Sequence, residues 1–186
     1  MERKYLTPRD KSLMKPRGDV SLSAFGFLFS EMVQYNQNRV SSTSDLEKKL
    51  EESGYGVGVR VVELIGVREK ITKRETRVVG MLQYITQTIW RQIFGKPADN
   101  LEKHPSDEDS YMIYERTCVT NHFVSVPSDM GNFNCAAFIA GIISGILDSV
   151  RFNAKVTCCE AEHDPDVTVF LIKFSQEVMN RERRLG

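Results

Sequence analysis

The sequence predicts an α+β domain in which helices cover one face of a four-stranded antiparallel sheet. Three observations lead there. In the first half of the chain, apolar residues recur three and four apart, the spacing of helix faces. After Asp109 the period falls to two, in short runs bounded by polar turns. Between those runs lies Asn132–Leu147, whose apolar residues cover every side of a helical wheel, as in a helix buried all round.

Beyond Asn134 that stretch has no polar group except Cys135 and Ser144, and no charge before Asp148. Ala137, Gly141 and Gly145 form one stripe of small residues, and Ala136, Ala140 and Ser144 form another. Glycine inside a helix costs ~1 kcal/mol against alanine. Two glycines are therefore expected only where close packing against a sheet or another helix offsets them. A bilayer span needs ~20 apolar residues. This run is shorter and sits within a polar chain, so it is expected to be a core helix.

Residues 1 to 19 are polar and broken by Pro8, Pro16 and Gly18, which reads as an arm. A helix is expected from Ser21 on the stripe Leu22, Phe25, Phe29, Met32 and Val33, with Phe27 and Leu28 adding apolar surface beyond it. So wide a stripe suits contact on two sides, one of them another chain, or else a central core helix. Ser44-Asp45-Leu46-Glu47 has the form of a capping box, followed by a thin apolar edge at Leu46 and Leu50. Gly54-Tyr55-Gly56-Val57-Gly58 is expected to interrupt or end that helix. A second helical pattern resumes with Val57, Val61, Leu64 and Ile65. The Gly-x-Gly spacing lacks both the lead-in strand and the Lys-Ser/Thr pair of a phosphate-binding loop.

Val67–Arg77 reads as a charged connector. From Glu75 a long helix is expected, with Val78, Leu82, Ile85, Ile89 and Ile93 as its core stripe, Met81 and Trp90 beside it, and Gly95 and Pro97 as its stop. Asn100–Asp109 reads as an acidic solvent loop. Strands are expected at Tyr111–Glu115 and His122–Val126, joined through Thr117–Asn121 and closed by Pro127. Two more are expected at Ala154–Cys159 and Val167–Phe174, across an acidic turn at Glu160–Asp166. From Gln176 the tail is charged and helical at first.

A chain of 186 residues suits one domain with a real core. Its 41% hydrophobic and 27% charged content is that of a soluble globular protein. Basic and acidic residues both number 25, so the basic excess of a nucleic-acid binder is missing. Local imbalance is mild: residues 1 to 19 and residues 60 to 77 each hold six basic and three acidic side chains, which read as solvated faces. The charged amino terminus has no apolar signal stretch, so free thiols in a reducing compartment are expected. Cys118, Cys135, Cys158 and Cys159 form no Cys-x-x-Cys, and His104, His122 and His163 form no paired ligand set, so no metal site is expected.

The best candidate for chemistry is Cys135, near the amino end of the buried helix, where the helix dipole lowers a thiol pKa. His122 and Asp129 could complete a Cys-His-Asp arrangement. Against it, Ala136, Ala137 and Phe138 suit a thiol that simply packs. Glu51-Glu52 and Asp107-Glu108-Asp109 have no apolar pocket to raise a pKa and read as solvated faces. Residues alone therefore indicate a soluble cytosolic domain that is not an enzyme. The rival is a Cys135-dependent hydrolase or a small-ligand-binding protein.

Four stretches carry a family likeness. They are Asp19-Val20-Ser21-Leu22-Ser23-Ala24-Phe25 with Leu28-Phe29-Ser30-Glu31; Gly54-Tyr55 with Gly58, Arg60 and Glu63; Arg74-Glu75-Thr76; and Asn134-Cys135-Ala136 with Ala140-Gly141-Ile142. In these the chain resembles the small subunits of the TRAPP (transport protein particle) vesicle-tethering complex. The likeness runs from about residue 18 to 178, dividing the chain into an arm (1–18), a single domain (19–178) and a charged tail (179–186). It implies an α/β plait with helices on one side of a twisted antiparallel sheet. It also implies a non-catalytic adaptor without cofactor or nucleic acid, paired side by side with other TRAPP small subunits through its early helices. Phe25, Phe29, Met32, Val33 and Leu46 are then the expected partner face. Through the assembled complex the chain would serve a guanine-nucleotide exchanger for a Rab-type GTPase. It would be cytoplasmic and peripheral at endoplasmic reticulum and cis-Golgi membranes. Some relatives carry an acylated cysteine four residues before Arg-Glu-Thr, threaded into an internal channel. Lys70 stands there in this chain, so that acylation is excluded and side chains are expected to fill the space.

Overall fold

The computed structural model describes residues 20–70, 74–122, 124–126, 130–131, 133–161 and 164–185. The expected arm, and Asp129 of the candidate triad, lie outside them. The described residues form an α/β plait of five helices and a four-stranded antiparallel sheet ordered β1-β2-β4-β3. The strands are β1 (Asn100–Lys103), β2 (Ser110–Arg116), β3 (Ala154–Ala161) and β4 (Asp164–Phe174). Ile113 and Cys158 both pair with Phe170, so one face of the sheet collects Ile113, Val156, Phe170 and Ile172, all buried under the helices.

Helix α1 (Leu22–Gln37) starts where expected, with Ser21 Oγ accepting from Ala24 N at 3.2 Å. Helix α2 (Thr43–Arg68) is capped two residues earlier than the capping box suggests. Ser42 Oγ accepts from Asp45 N at 3.1 Å and donates to the Asp45 carboxylate at 2.7 Å. The earlier cap leaves Glu47 free to accept from Asn134 N at 2.9 Å, which ties α2 to the turn leading into the buried helix.

The glycine cluster does not interrupt α2, which runs through it unbroken. A Cβ at Gly54 or Gly58 would strike the backbone carbonyl of Phe138 or Ile142; one at Gly141 or Gly145 would strike that of Glu51 or Tyr55. The cluster and the buried helix α4 (Ala137–Ser149) are thus two halves of one crossing in which backbones touch. Local propensity loses to tertiary packing. Around that crossing α4 buries Ile139, Ile143, Ile146 and Leu147, each worth ~1.5–3 kcal/mol, against ~1 kcal/mol for each helical glycine.

Helix α3 begins at Val78 rather than Glu75 and joins an α-helical stretch (Val78–Gln83) to another (Trp90–Phe94) through a π-helical turn (Tyr84–Ile89). In that turn Thr86 Oγ1 donates to Leu82 O at 3.0 Å, and the carbonyl of Thr86 accepts from Ala98 N at 3.0 Å. Val78, Leu82, Ile85 and Ile89 are all fully buried, as their spacing predicts. Gly95 ends the helix at φ 82, a left-handed conformation that glycine adopts without penalty.

Two expectations about strands are corrected. Asn100–Asp109 is not all loop: its first four residues are β1, antiparallel to β2. Val124–Val126 form no strand, although the residues from His122 alternate in polarity. Both edges of β2, the strand they were expected to pair with, are already taken, by β1 and by β4. Helix α5 (Gln176–Leu185) continues through the charged tail, packing Val178 and Met179 on the core.

Candidate interaction surface and motif residues

The aromatic face of α1 points inward. Phe29 (3% exposed), Val33 (9%) and Leu46 (1%) are buried in a small core shared with Leu50, Phe133 and Cys135. Phe25 stacks on Phe29 at 5.6 Å between ring centroids, and Phe29 meets Phe138 edge-on at 5.5 Å. Phe25 and Met32 are half-buried beside them. Three of the five residues expected to face a partner therefore face this chain's own core. The helix lies over α2 and the turn before α4, and its densest apolar stripe is needed there. The opposite side presents Phe27 (77% exposed), Leu28 (73%) and Tyr35 (57%). The sequence marked Phe27 and Leu28 only as apolar surface outside the stripe.

Most of the motif residues serve the fold. Gly54 and Gly58 make the α2–α4 crossing, together with Gly141, while Ala140 is buried in the core. Tyr55 Oη donates to Asp148 Oδ2 at 2.5 Å, clamping the two helices a further turn along. Arg60 donates to Gly56 O at 2.5 Å, and Glu63 is exposed. Arg74 donates to Val150 O at 3.0 Å, at the carboxyl end of α4. Glu75 accepts from the N–H groups of Thr76 and Arg77 at 2.9 and 3.1 Å, at the head of α3. Its carboxyl group fills the space where a Cβ on Gly80 would lie. Glu182 of α5 accepts from Val78 N at 3.0 Å and from Arg77 Nε at 2.9 Å, a second tie at the same helix end. Asn134 Oδ1 accepts from Ala136 N at 2.9 Å, capping the turn before α4. Lys70 is exposed with φ 52 in the turn after α2.

The candidate thiol does not meet the chemistry proposed for it. Cys135 is buried, and burial pushes its pKa up to about 12, the opposite of what the helix end was expected to do. At neutral pH such a thiol is protonated and a poor nucleophile. Its presumed base, His122, is exposed. Cys158 faces the core and is likewise pushed up to about 12, while Cys159 points out, as strand alternation requires. Among the described residues no group of three or more His, Cys, Asp or Glu is placed to hold a metal ion. Among the same residues no helix is long and apolar enough to cross a membrane.

One cluster carried no motif signal. Glu115, 4% exposed on β2, accepts from Trp90 Nε1 at 2.9 Å and pairs with Lys96 Nζ at 2.7 Å. Burial raises its carboxyl pKa and outweighs the pull of Lys96; the better-hydrated ammonium is raised in turn by the carboxylate. The three residues form one wall of a groove of about 1300 Å³ between the first turn of α1 and the end of α3, whose apolar lining includes Leu22, Phe25, Leu28, Ile93, Phe94 and Val119.

Fold and geometry together define a class: an α/β plait most of whose motif residues are spent on its own helix contacts and whose first described helix keeps an apolar outer side. The comparisons agree. A family model described as Transport protein particle (TRAPP) component matches residues 25–175. Trafficking protein particle complex subunit 5 of Dictyostelium discoideum is 49% identical over 176 residues, covering 92% of this chain and 94% of its own length. The Homo sapiens subunit 5 is 42% identical, covering 95% and 92%. A crystal structure of the Naegleria fowleri complex subunit 3, covalently bound to palmitic acid, matches with a TM-score of 0.72 at 17% identity, over 83% of this chain and 95% of that one. The chain belongs to the TRAPP component family.

Proposed function

We propose that the chain is a non-catalytic assembly subunit of the TRAPP tethering complex. It pairs with a related small subunit through the outer side of α1. It contributes to the guanine-nucleotide exchanger for a Rab-type GTPase only within the assembled complex, in endoplasmic reticulum-to-Golgi vesicle transport. It works in the cytoplasm, peripherally at endoplasmic reticulum and cis-Golgi membranes. The names of its relatives, all subunits of one complex, support the assembly role.

The single observation that carries the reading is the exposure of Phe27, Leu28 and Tyr35 on a helix whose other side is buried. Burying a large apolar side chain is worth about 1.5–3 kcal/mol, so this side favours a covering surface. The test is co-expression with a related small subunit carrying an affinity tag. Phe27→Asp with Leu28→Asp is expected to abolish co-purification while leaving circular dichroism and melting unchanged. Undiminished pairing would contradict the reading. Phe29→Asp is unsuitable, because it places a charge in the buried cluster.

A further inference from the structure

The groove between α1 and α3 is continuous with the outer side of α1, because Leu28 belongs to both. Small-molecule sites run to roughly 300–1,000 Å³; at about 1300 Å³ this groove is larger, and it is open. Its walls are mainly apolar, with half-buried Ile93 and Phe94 on the α3 side and Leu22 and Phe25 on the α1 side. The charges at its end are unequal in availability. Glu115 is buried and committed to Trp90 and Lys96, and Lys96 also reaches Asp99 at 3.3 Å. Arg91, in the last turn of α3, is exposed, and its guanidinium makes no hydrogen bond or ion pair among the described residues.

We infer that this groove receives an apolar segment of the paired small subunit, one carrying a carboxylate that meets Arg91. The inference rests on the pairing reading above and extends it from the outer side of α1 to a second, concave part of the same interface. The exposed helix side supplies apolar area, and the groove with its rim cation supplies register. An unpaired cation at the edge of an interface acts mainly on association rate and partner choice.

The chain has a single tryptophan, Trp90, and it lines the groove. Its ring lies 5.0 Å from that of Phe94 and 5.8 Å from that of Phe170. Fluorotryptophan incorporated in this chain alone therefore gives one fluorine NMR resonance that reports on the groove even when the partner has tryptophans of its own. Adding the paired subunit is expected to shift that resonance. Arg91→Glu is expected to weaken pairing about fivefold to tenfold at low salt, with the difference shrinking as salt rises. Lys103→Glu, on β1 and outside the groove, is expected to leave pairing unchanged. Pairing with an unmoved resonance and an unaffected Arg91→Glu variant overturns the groove assignment and leaves the pairing reading standing. Failure to pair overturns both. A resonance that moves in the lone chain on deletion of residues 1–18, or with concentration, overturns it too, assigning the groove to the chain's own arm or to a second copy.

Discussion

Cys135 and Glu115 are both buried ionisable groups, and burial acts on both by favouring the neutral form. For Cys135 that weighs against a nucleophile. For Glu115 it gives a pH signature. The folded chain holds the Glu115 proton more tightly than the unfolded chain, so its contribution to stability is fully present below the ordinary value of 4.5 and is lost as pH rises through the raised value. Asp107 acts in the opposite sense: Lys173, the Asp109 N–H and the Ser110 hydroxyl hold it at about 2, so its contribution is present above 3.8 and lost as pH falls through about 2. Glu115→Gln keeps an acceptor for Trp90 Nε1 but has no proton to release. Measured by urea midpoints from about pH 4 to about pH 7, the variant should gain on the wild type as pH rises. Parallel curves would contradict the sign assigned to burial. Nothing in the order of residues announced this cluster, because Trp90, Lys96 and Glu115 meet only once the sheet has formed under α3.

At the scale of elements, the α2–α4 crossing is the feature on which the helix layer depends. Gly54→Ala sets a Cβ against Phe138 O, and Gly141→Ala sets one against Glu51 O; both obstacles are backbone and cannot rotate away. Each is expected to cost about 2–4 kcal/mol in thermal unfolding. Gly66→Ala, in the same helix with nothing within 4 Å, is expected to gain about 0.5–1 kcal/mol. Equal effects at Gly54 and Gly66 would mean that the helices do not cross as closely as described. The same crossing shows what the sequence could tell. Period marked α1, the core stripe of α3, the all-round burial of α4 and strands β2 to β4. It also marked the small stripe on α4, yet the glycines of α2 read as breakers, because their partners lie more than eighty residues away. Strand β1 was missed because an edge strand with one half-buried residue shows no alternation. His122–Val126 alternates, but β2, its expected partner, is already paired on both edges, by β1 and β4. On α1 the spacing showed which residues share a face; only the packed chain shows that this face looks inward.

For the whole molecule, basic and acidic residues are equal in number, and Leu82, Ile85, Ile113, Ile143 and Phe170 are fully buried at the centre of the helix–sheet core. What it offers a partner is the outer side of α1 and the groove beside it. Hydrogen exchange on the full chain, alone and paired with a related small subunit, tests that claim most directly. Amides of Leu22–Gln37 and those flanking the groove at Ile93–Lys96 should gain protection on pairing, while β1 exchanges as before. Protection concentrated on β1 and β2 with α1 unchanged would contradict it, and would move the interface to the edge of the sheet.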